Sequence, residues 1–500
     1  MRRQKAKGSI SVFAALCIMM VASTLFTLLE AARVRQMEQL AEVVTTSATE
    51  SVFAAYDSLL WEQYHLLLRS AALADGAVSF GDIEDELQEL SDVAMNPTGG
   101  SLTIYQNDLL RAETESVMVT GYTLITDAEG EVFQAAVAAY MKNNLGYEAA
   151  KAIKEKYEKG ESLEESDVDD AIAEAQDGIN EAKQEAAESG EITEETTVEV
   201  KDNPLEAIAK IKKMGILSLL AEDTSEISTQ SITLSETLSK RELNEGNMSF
   251  SEEDSDWYQK ILVTQYYAQY YSNYLSPNTD GALQYEQEYL ICGKADDTEN
   301  LKGCINRILL IREAGNLTYL LQDSAKQSEA LALATALAGV TANPAIIAAV
   351  KYGILAAWAY AESLLDVRAL LQGDKIPLVK NAAQWTSDVY GLSQCADSGW
   401  KATSCSSGLT YSDYLNLLLY TTGDTKAAYR AMDIQELYLR QQEGYDEFQM
   451  DQMIVAMCVT GTYEYTANYL SLVSLVDYGQ VKLTASGSCS YSYLQAQQAE

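Results

Sequence analysis

The N-terminus constrains this chain more than any other stretch. Four cations, Arg2, Arg3, Lys5 and Lys7, precede a run from Gly8 to Leu29 that carries no charge. At about 1.5 Å per residue a helix over that run spans a hydrocarbon core of about 30 Å. The reading is a basic cytoplasmic segment (1–8), a membrane helix (9–29) and an extracytoplasmic remainder, because cations beside a span stay on the cytoplasmic side. Three fates of the run stay open. It is retained as an anchor, it is cut between Gly8 and Ser9 by a peptidase that leaves the apolar helix on the mature protein, or it is removed as a signal peptide near Val21-Ala22-Ser23.

Apolar positions continue beyond the span at Met37, Leu40, Val44, Ala48, Val52, Tyr56 and Leu59, in steps of three and four. Neither Pro nor Gly falls between Ser9 and Ser70. The expectation is one helix of up to about 60 residues, lipid-facing at first and then packed on a soluble domain or on neighbouring copies.

The rest is expected to be α+β and mostly helical. Residues 30–154 hold the juxtamembrane helix, a connector over 71–100, β-rich sequence over 114–134 with a turn at Asp127-Ala128-Glu129-Gly130, and a helix over 133–143. Residues 155–255 are acidic, rich in Ser and Thr, and are expected to form a solvated insertion. Residues 256–500 begin with a Tyr-studded helix and end in Val-, Thr- and Tyr-rich strands (453–469 and 480–493). Those strands are expected to form a small antiparallel sheet with the 114–126 region. The apolar stretch from Ala330 to Val350 is read as two core helices rather than a second span. Asn343 caps the second helix and Pro344 takes its first position.

Composition excludes several functions. The formal net charge is −39, which disfavours nucleic acid as a partner. His65 is the only histidine, and no metal-ligand or phosphate-loop spacing is present, so neither cofactor nor catalysis is expected. His65 reads as a packed or surface residue. Among the cysteines, Cys395 and Cys405 bracket a small polar loop and are the first candidate disulfide; Cys292 and Cys304 are the next. Arg307, Arg312 and Glu313 on one helix, with Glu362, Asp366 and Arg368 on another, are expected to form a structural ion-pair cluster. The alternative for Glu362 and Asp366, four residues apart on one face, is a carboxylate hydrolase pair acting on cell wall. The 31 tyrosines against 7 phenylalanines suit half-wet contact surfaces.

The pattern GSISVFAAL…TLLEAARV resembles the membrane helix of TadE-like and TadG-like minor pseudopilins of tight-adherence pilus systems. Gly8, Val12, Leu16, Glu30 and Arg33 carry the likeness; Phe13 stands where pilin-type leaders carry Glu. The stretches SVFAAYDSLLWEQYHLLL, NLKGCINRILLIREAGNLTYLL and AWAYAESLLDVRALLQGDKIPLVK resemble a domain-of-unknown-function family of Gram-positive anaerobes. The resemblance implies a single-pass, membrane-anchored component without catalysis, partnered by the membrane, by pilus or secretion subunits and by copies of itself. The other class in view is a stand-alone surface adhesin or sensor.

Overall fold

The computed structural model describes residues 8–72, 78–95, 112–161, 168–189, 203–220, 224–250, 257–338, 343–467 and 480–491. Its chain forms two compact units: residues 1–136, 242–253 and 445–500 make the first, and 137–241 with 254–444 make the second.

The first unit is built on helix α1 (Gly8–Phe53) and a four-stranded antiparallel sheet. Strand β3 (Met453–Thr466) is central. β2 (Ala112–Leu124) pairs along one edge, and β4 (Gln480–Ser490) with the two-residue β1 (Arg69–Ser70) along the other. The expected pairing of the 114–126 region with the C-terminal strands is therefore present. The distal half of α1 lies on this sheet through Met37, Ala41, Val44, Ala48, Val52 and Phe53, all buried. Their spacing is the helical stripe legible in the sequence. Two glycines allow the close approach. A Cβ at Gly461 would sit 2.8 Å from the Tyr463 hydroxyl and 3.0 Å from Thr45 Oγ1, and one at Gly487 would press on Thr45 and Thr46. Thr45 and Tyr463 are joined by a 2.7 Å hydrogen bond between their hydroxyls.

The expected 60-residue helix is shorter. It stops at Phe53, and Asp57 caps a separate helix, α2 (Ser58–Tyr64), by accepting from the Leu60 N–H. The Asp57 N–H meanwhile donates to Leu68 O, so the chain turns back and buries Leu66 and Leu68. The chain leaves the helix with no Pro or Gly to signal it, and a capping Asp starts the next one. The 71–100 connector also contains a helix, α3 (Gly81–Met95), whose Ile83 and Leu87 pack on the sheet. At the expected turn, Ala128, Glu129 and Gly130 all take positive φ.

Helix α4 (Glu131–Lys142) carries the chain into the second unit, which is helical. Its centre is α13 (Pro344–Leu371), buried at nearly every position from Gly353 onward. Asn343 caps α13 by accepting from Ala345 N–H at 3.0 Å, with Pro344 at the first turn, as the sequence predicts. Around α13 stand α6 (Val168–Ser189), α7 (Pro204–Ile211), α11 (Asp297–Gln322) and α12 (Ser324–Ala338).

Part of the expected solvated insertion is thus core. On α6, Ala171, Ala175 and Ile179 are buried, and a Cβ at Gly353 of α13 would lie 2.1 Å from that of Ala175. The helices meet through small residues, which allows their backbones to approach. On α7, Leu205, Ile208 and Ile211 are buried.

The Tyr-rich α9 (Trp257–Tyr270) also packs inward: Tyr266, Tyr267 and the following Tyr271 are buried in edge-to-face contact with one another. Near the C-terminal side lie α14 (Tyr411–Thr421), with a Thr410–Asp413 capping box, and α15 (Asp424–Leu439).

Candidate functional site

Helix α1 changes character at Glu30. Ile10, Val12, Phe13, Leu16, Ile18, Met19, Met20, Leu25 and Leu28 are each more than half exposed. That is an apolar surface too continuous for an ordinary protein exterior. Glu30 and Arg33 are then both buried and paired at 2.7 Å. Arg33 also donates to Thr466 O (2.9 Å), at the end of β3, and its guanidinium lies over the Tyr465 ring. The two charged residues of the sequence motif therefore bind the helix to the sheet at the place where the bare segment begins. Val12 and Leu16 point from the bare part, and α1 starts at Gly8. The basic cluster Arg2–Lys7 lies outside the described residues. In length and composition α1 is able to cross a membrane, a property it shares with signal sequences. Helix α13 is also long and apolar enough, but it is enclosed and carries charges at its heart.

Those charges are the second sequence-predicted cluster, and the structure assembles only half of it. Glu362, Asp366 and Arg312 meet in the interior of the second unit, each without solvent exposure. Arg312 donates to Asp366 Oδ2 through Nε (3.0 Å) and Nη2 (2.9 Å), to the carbonyls of Pro377 and Leu378, and to Asn316 Oδ1. Lys380, unanticipated from the sequence, lies between the two carboxylates. It pairs with Asp366 at 2.5 Å and also with Glu362. Glu362 accepts two further bonds, from the N–H groups of Thr386 (3.0 Å) and Ser387 (2.7 Å). Burial pushes the Asp366 carboxyl up, but Lys380 and Arg312 outweigh it and hold the group below its ordinary range. Two anions, two cations and a shell of amide donors make a closed, neutral network with no carboxylate oxygen presented to a substrate.

Two of the remaining members, Arg368 and Arg307, go elsewhere. Arg368 collects carbonyls, those of Leu219, Trp400 and Cys395, and joins no carboxylate in this network. Arg307 donates to Ile291 O (3.3 Å) at the end of a different helix, and Glu313 is buried on α11. A hint of Lys380 exists in the sequence, as a lone cation closing the apolar stretch Ile376–Val379. Nothing there shows that the stretch folds over α13.

The expected Cys395–Cys405 bridge is absent; both are free thiols. Cys395 is buried beneath Arg368, which donates to its carbonyl, whereas the Cys405 sulfur accepts from Gln384 Nε2 at 3.0 Å. Two side chains engaged in different surroundings are not drawn together by a shared loop. His65 ends α2 in the left-handed region (φ 54°), edge-on to Trp61.

These features define an α+β protein, mostly helical, with a small four-stranded antiparallel sheet and a long apolar N-terminal helix. The chain belongs to a family of unknown function, DUF5702, whose model matches residues 194–465, more than half of its length. No curated protein and no solved structure matches it.

Proposed function

We propose that this protein is a membrane-anchored, pseudopilin-like structural or accessory component of a tight-adherence-type pilus or secretion apparatus, with the domain outside the cell. The observation that carries this reading is the division of α1. One continuous helix offers a bare apolar half and seats its other half on an antiparallel sheet, with Glu30 and Arg33 at the junction. An apolar helix of that kind is stable in lipid and equally stable against the like helices of neighbouring subunits. A subunit built this way exchanges between the two with little change in solvation. The resemblance of the Gly8–Arg33 pattern to minor pseudopilin helices supports the same reading.

The tyrosines contribute less than their number suggests. Most of those on α9 and α14 are buried, so assembly rests on the helix rather than on a tyrosine-lined exterior. The hydrolase alternative loses its residues, since Glu362 and Asp366 are enclosed and neutralised. A stand-alone adhesin or sensor needs the anchor but no assembly.

N-terminal sequencing of the mature protein from native membranes separates these readings. A start at Ser9 is the expected result and means processing of the pilin type. A start at Met1 favours the stand-alone surface protein. A start near Thr24 means release from the membrane and overturns the assembly mechanism.

A further inference from the structure

A second feature lies in the helical unit and is independent of the membrane role. Helix α10 (Glu286–Cys292) ends at Cys292, and Gly293 follows in the left-handed region (φ 64°). Beside it a cleft of about 550 Å³ opens, lined by Cys292, Arg307, Lys426, Arg430, Leu310 and Leu418. In a chain of 74 acidic and 35 basic residues, no acidic side chain among the described residues lines this cleft. Arg430 donates to the carbonyls of Leu290 and Ile291, and Arg307 to that of Ile291. Both cations are thereby fixed at the carbonyl end of α10. Lys426 is exposed on the cleft wall.

Cys292 is half-buried, and its sulfur lies 3.6 Å from that of Cys304, which is fully buried on α11. Gly303 leaves the room: a Cβ there would come within 2.6 Å of the Cys292 sulfur. The Cys304 thiol hydrogen-bonds to Cys292 and holds its thiol below the ordinary range. Burial opposes this, and Arg307, Arg430 and Lys294 assist. Burial pushes the Cys304 thiol well up. Cys292 faces the cleft and Cys304 is enclosed behind it, so an incoming group meets the Cys292 sulfur first.

We infer that Cys292 and Cys304 form a thiol–disulfide exchange site whose cationic cleft selects anionic disulfides. The Cys292 thiolate attacks one sulfur of a disulfide RSSR, forming Cys292–S–SR and releasing RS⁻, which takes up the proton Cys292 gave to solvent. Cys304 then attacks the Cys292 sulfur, and its proton leaves on the second RS⁻. The products are two RSH and a Cys292–Cys304 disulfide, with two electrons passed to the incoming disulfide. The sulfurs close from 3.6 Å to about 2 Å by side-chain rotation.

The test uses the full chain in detergent, reduced and then freed of reductant. It is exposed to dianionic 5,5′-dithiobis(2-nitrobenzoate) or to dicationic cystamine, and each cysteine is followed by peptide mass spectrometry. Cys292 is expected to react first, about tenfold faster with the anionic probe, and the difference should shrink with added salt and in Lys426→Gln. The wild-type product is the 292–304 disulfide. Cys304→Ala, or Cys304→Ser if the former misfolds, should retain the mixed disulfide on Cys292. Labelling of Cys292 no faster than of Cys405 and Cys458, equal rates with the two probes, or a stable mixed disulfide on wild-type Cys292 would each overturn the inference.

Discussion

Lys380 is the side chain on which the interior of the helical unit turns. It is the cation that Glu362 and Asp366 share, and neither carboxylate has access to water. Lys380→Met should therefore destabilise the protein by about 3–5 kcal/mol, the usual cost of stranding a buried charge. Glu362→Gln should cost less: its amide oxygen keeps one of the two bonds that Thr386 N–H and Ser387 N–H make to separate carboxylate oxygens, and Asp366 still pairs with Lys380. Combining the two should cost less than their sum, since each removes the other's uncompensated partner. Urea unfolding followed by tryptophan fluorescence measures all three, and strict additivity would contradict the network.

Two carboxylates also set how stability depends on pH. The depressed Asp366 stabilises the fold above its unfolded value, near 3.8, and that contribution is lost as the pH falls through the lower folded value. Glu288 acts in the opposite sense. It is fully buried, accepts from the Tyr411 hydroxyl (2.7 Å) and the Tyr274 N–H (3.0 Å), and burial pushes it up to about 7. The native protein then binds the extra proton between 4.5 and about 7. Stability from this group is complete below 4.5 and declines as the pH rises through that window. Glu288→Gln should flatten the decline between those values and leave the acid limb in place. Urea midpoints measured across the pH range check this, and an unchanged slope would refute the assignment.

At the scale of elements, the interface between α1 and the sheet is the decisive contact. Gly461→Val should press on Tyr463 and Thr45, and cost about 1–3 kcal/mol by overpacking. A thermal scan of the full chain in detergent tests this. An unchanged midpoint would mean that the helix does not seat there. This seat was largely legible beforehand. The stripe Met37, Val44, Ala48 and Val52 announced a packed face, and the Val-, Thr- and Tyr-rich C-terminus announced strands. The cap of α13 was readable from Asn343-Pro344.

What escaped were features that depend on distant chain. Helix α6 looks solvated because it is acidic and Ala-rich. Its buried stripe is partly Ala171 and Ala175, which carry little hydrophobic signal, and the close approach at Ala175 needs Gly353 of α13 opposite to make sense. The break after Phe53 has no Pro or Gly and shows only in the Asp57 cap that starts the next helix, and the last cation of the ionic network came from a loop folded over α13. Pairs close in sequence misled in turn. Cys395 and Cys405 are separated by ten positions yet serve different surroundings, whereas the second-choice pair, Cys292 and Cys304, has its sulfurs in contact.

At the scale of the molecule, the first unit depends on chain from both ends of the sequence. Its central strand, β3, comes from residues 453–466 and its long helix, α1, from residues 8–53. Truncation after Gly444 should therefore leave α1 and β2 without their partner strand while keeping the whole chain of the second unit. Limited proteolysis should then degrade the N-terminal segment and preserve a core within residues 137–444. Loss of both units together would contradict their separate construction.

The most direct test of the proposed role asks what touches the bare half of α1 in its own membrane. A photo-crosslinking residue in place of Leu16, which is 60% exposed, should give covalent adducts with another copy or with a second single-pass pilus subunit. Those adducts should disappear when the apparatus is deleted. Adducts with lipid alone, unchanged by that deletion, would leave an anchored surface protein and contradict assembly through the helix.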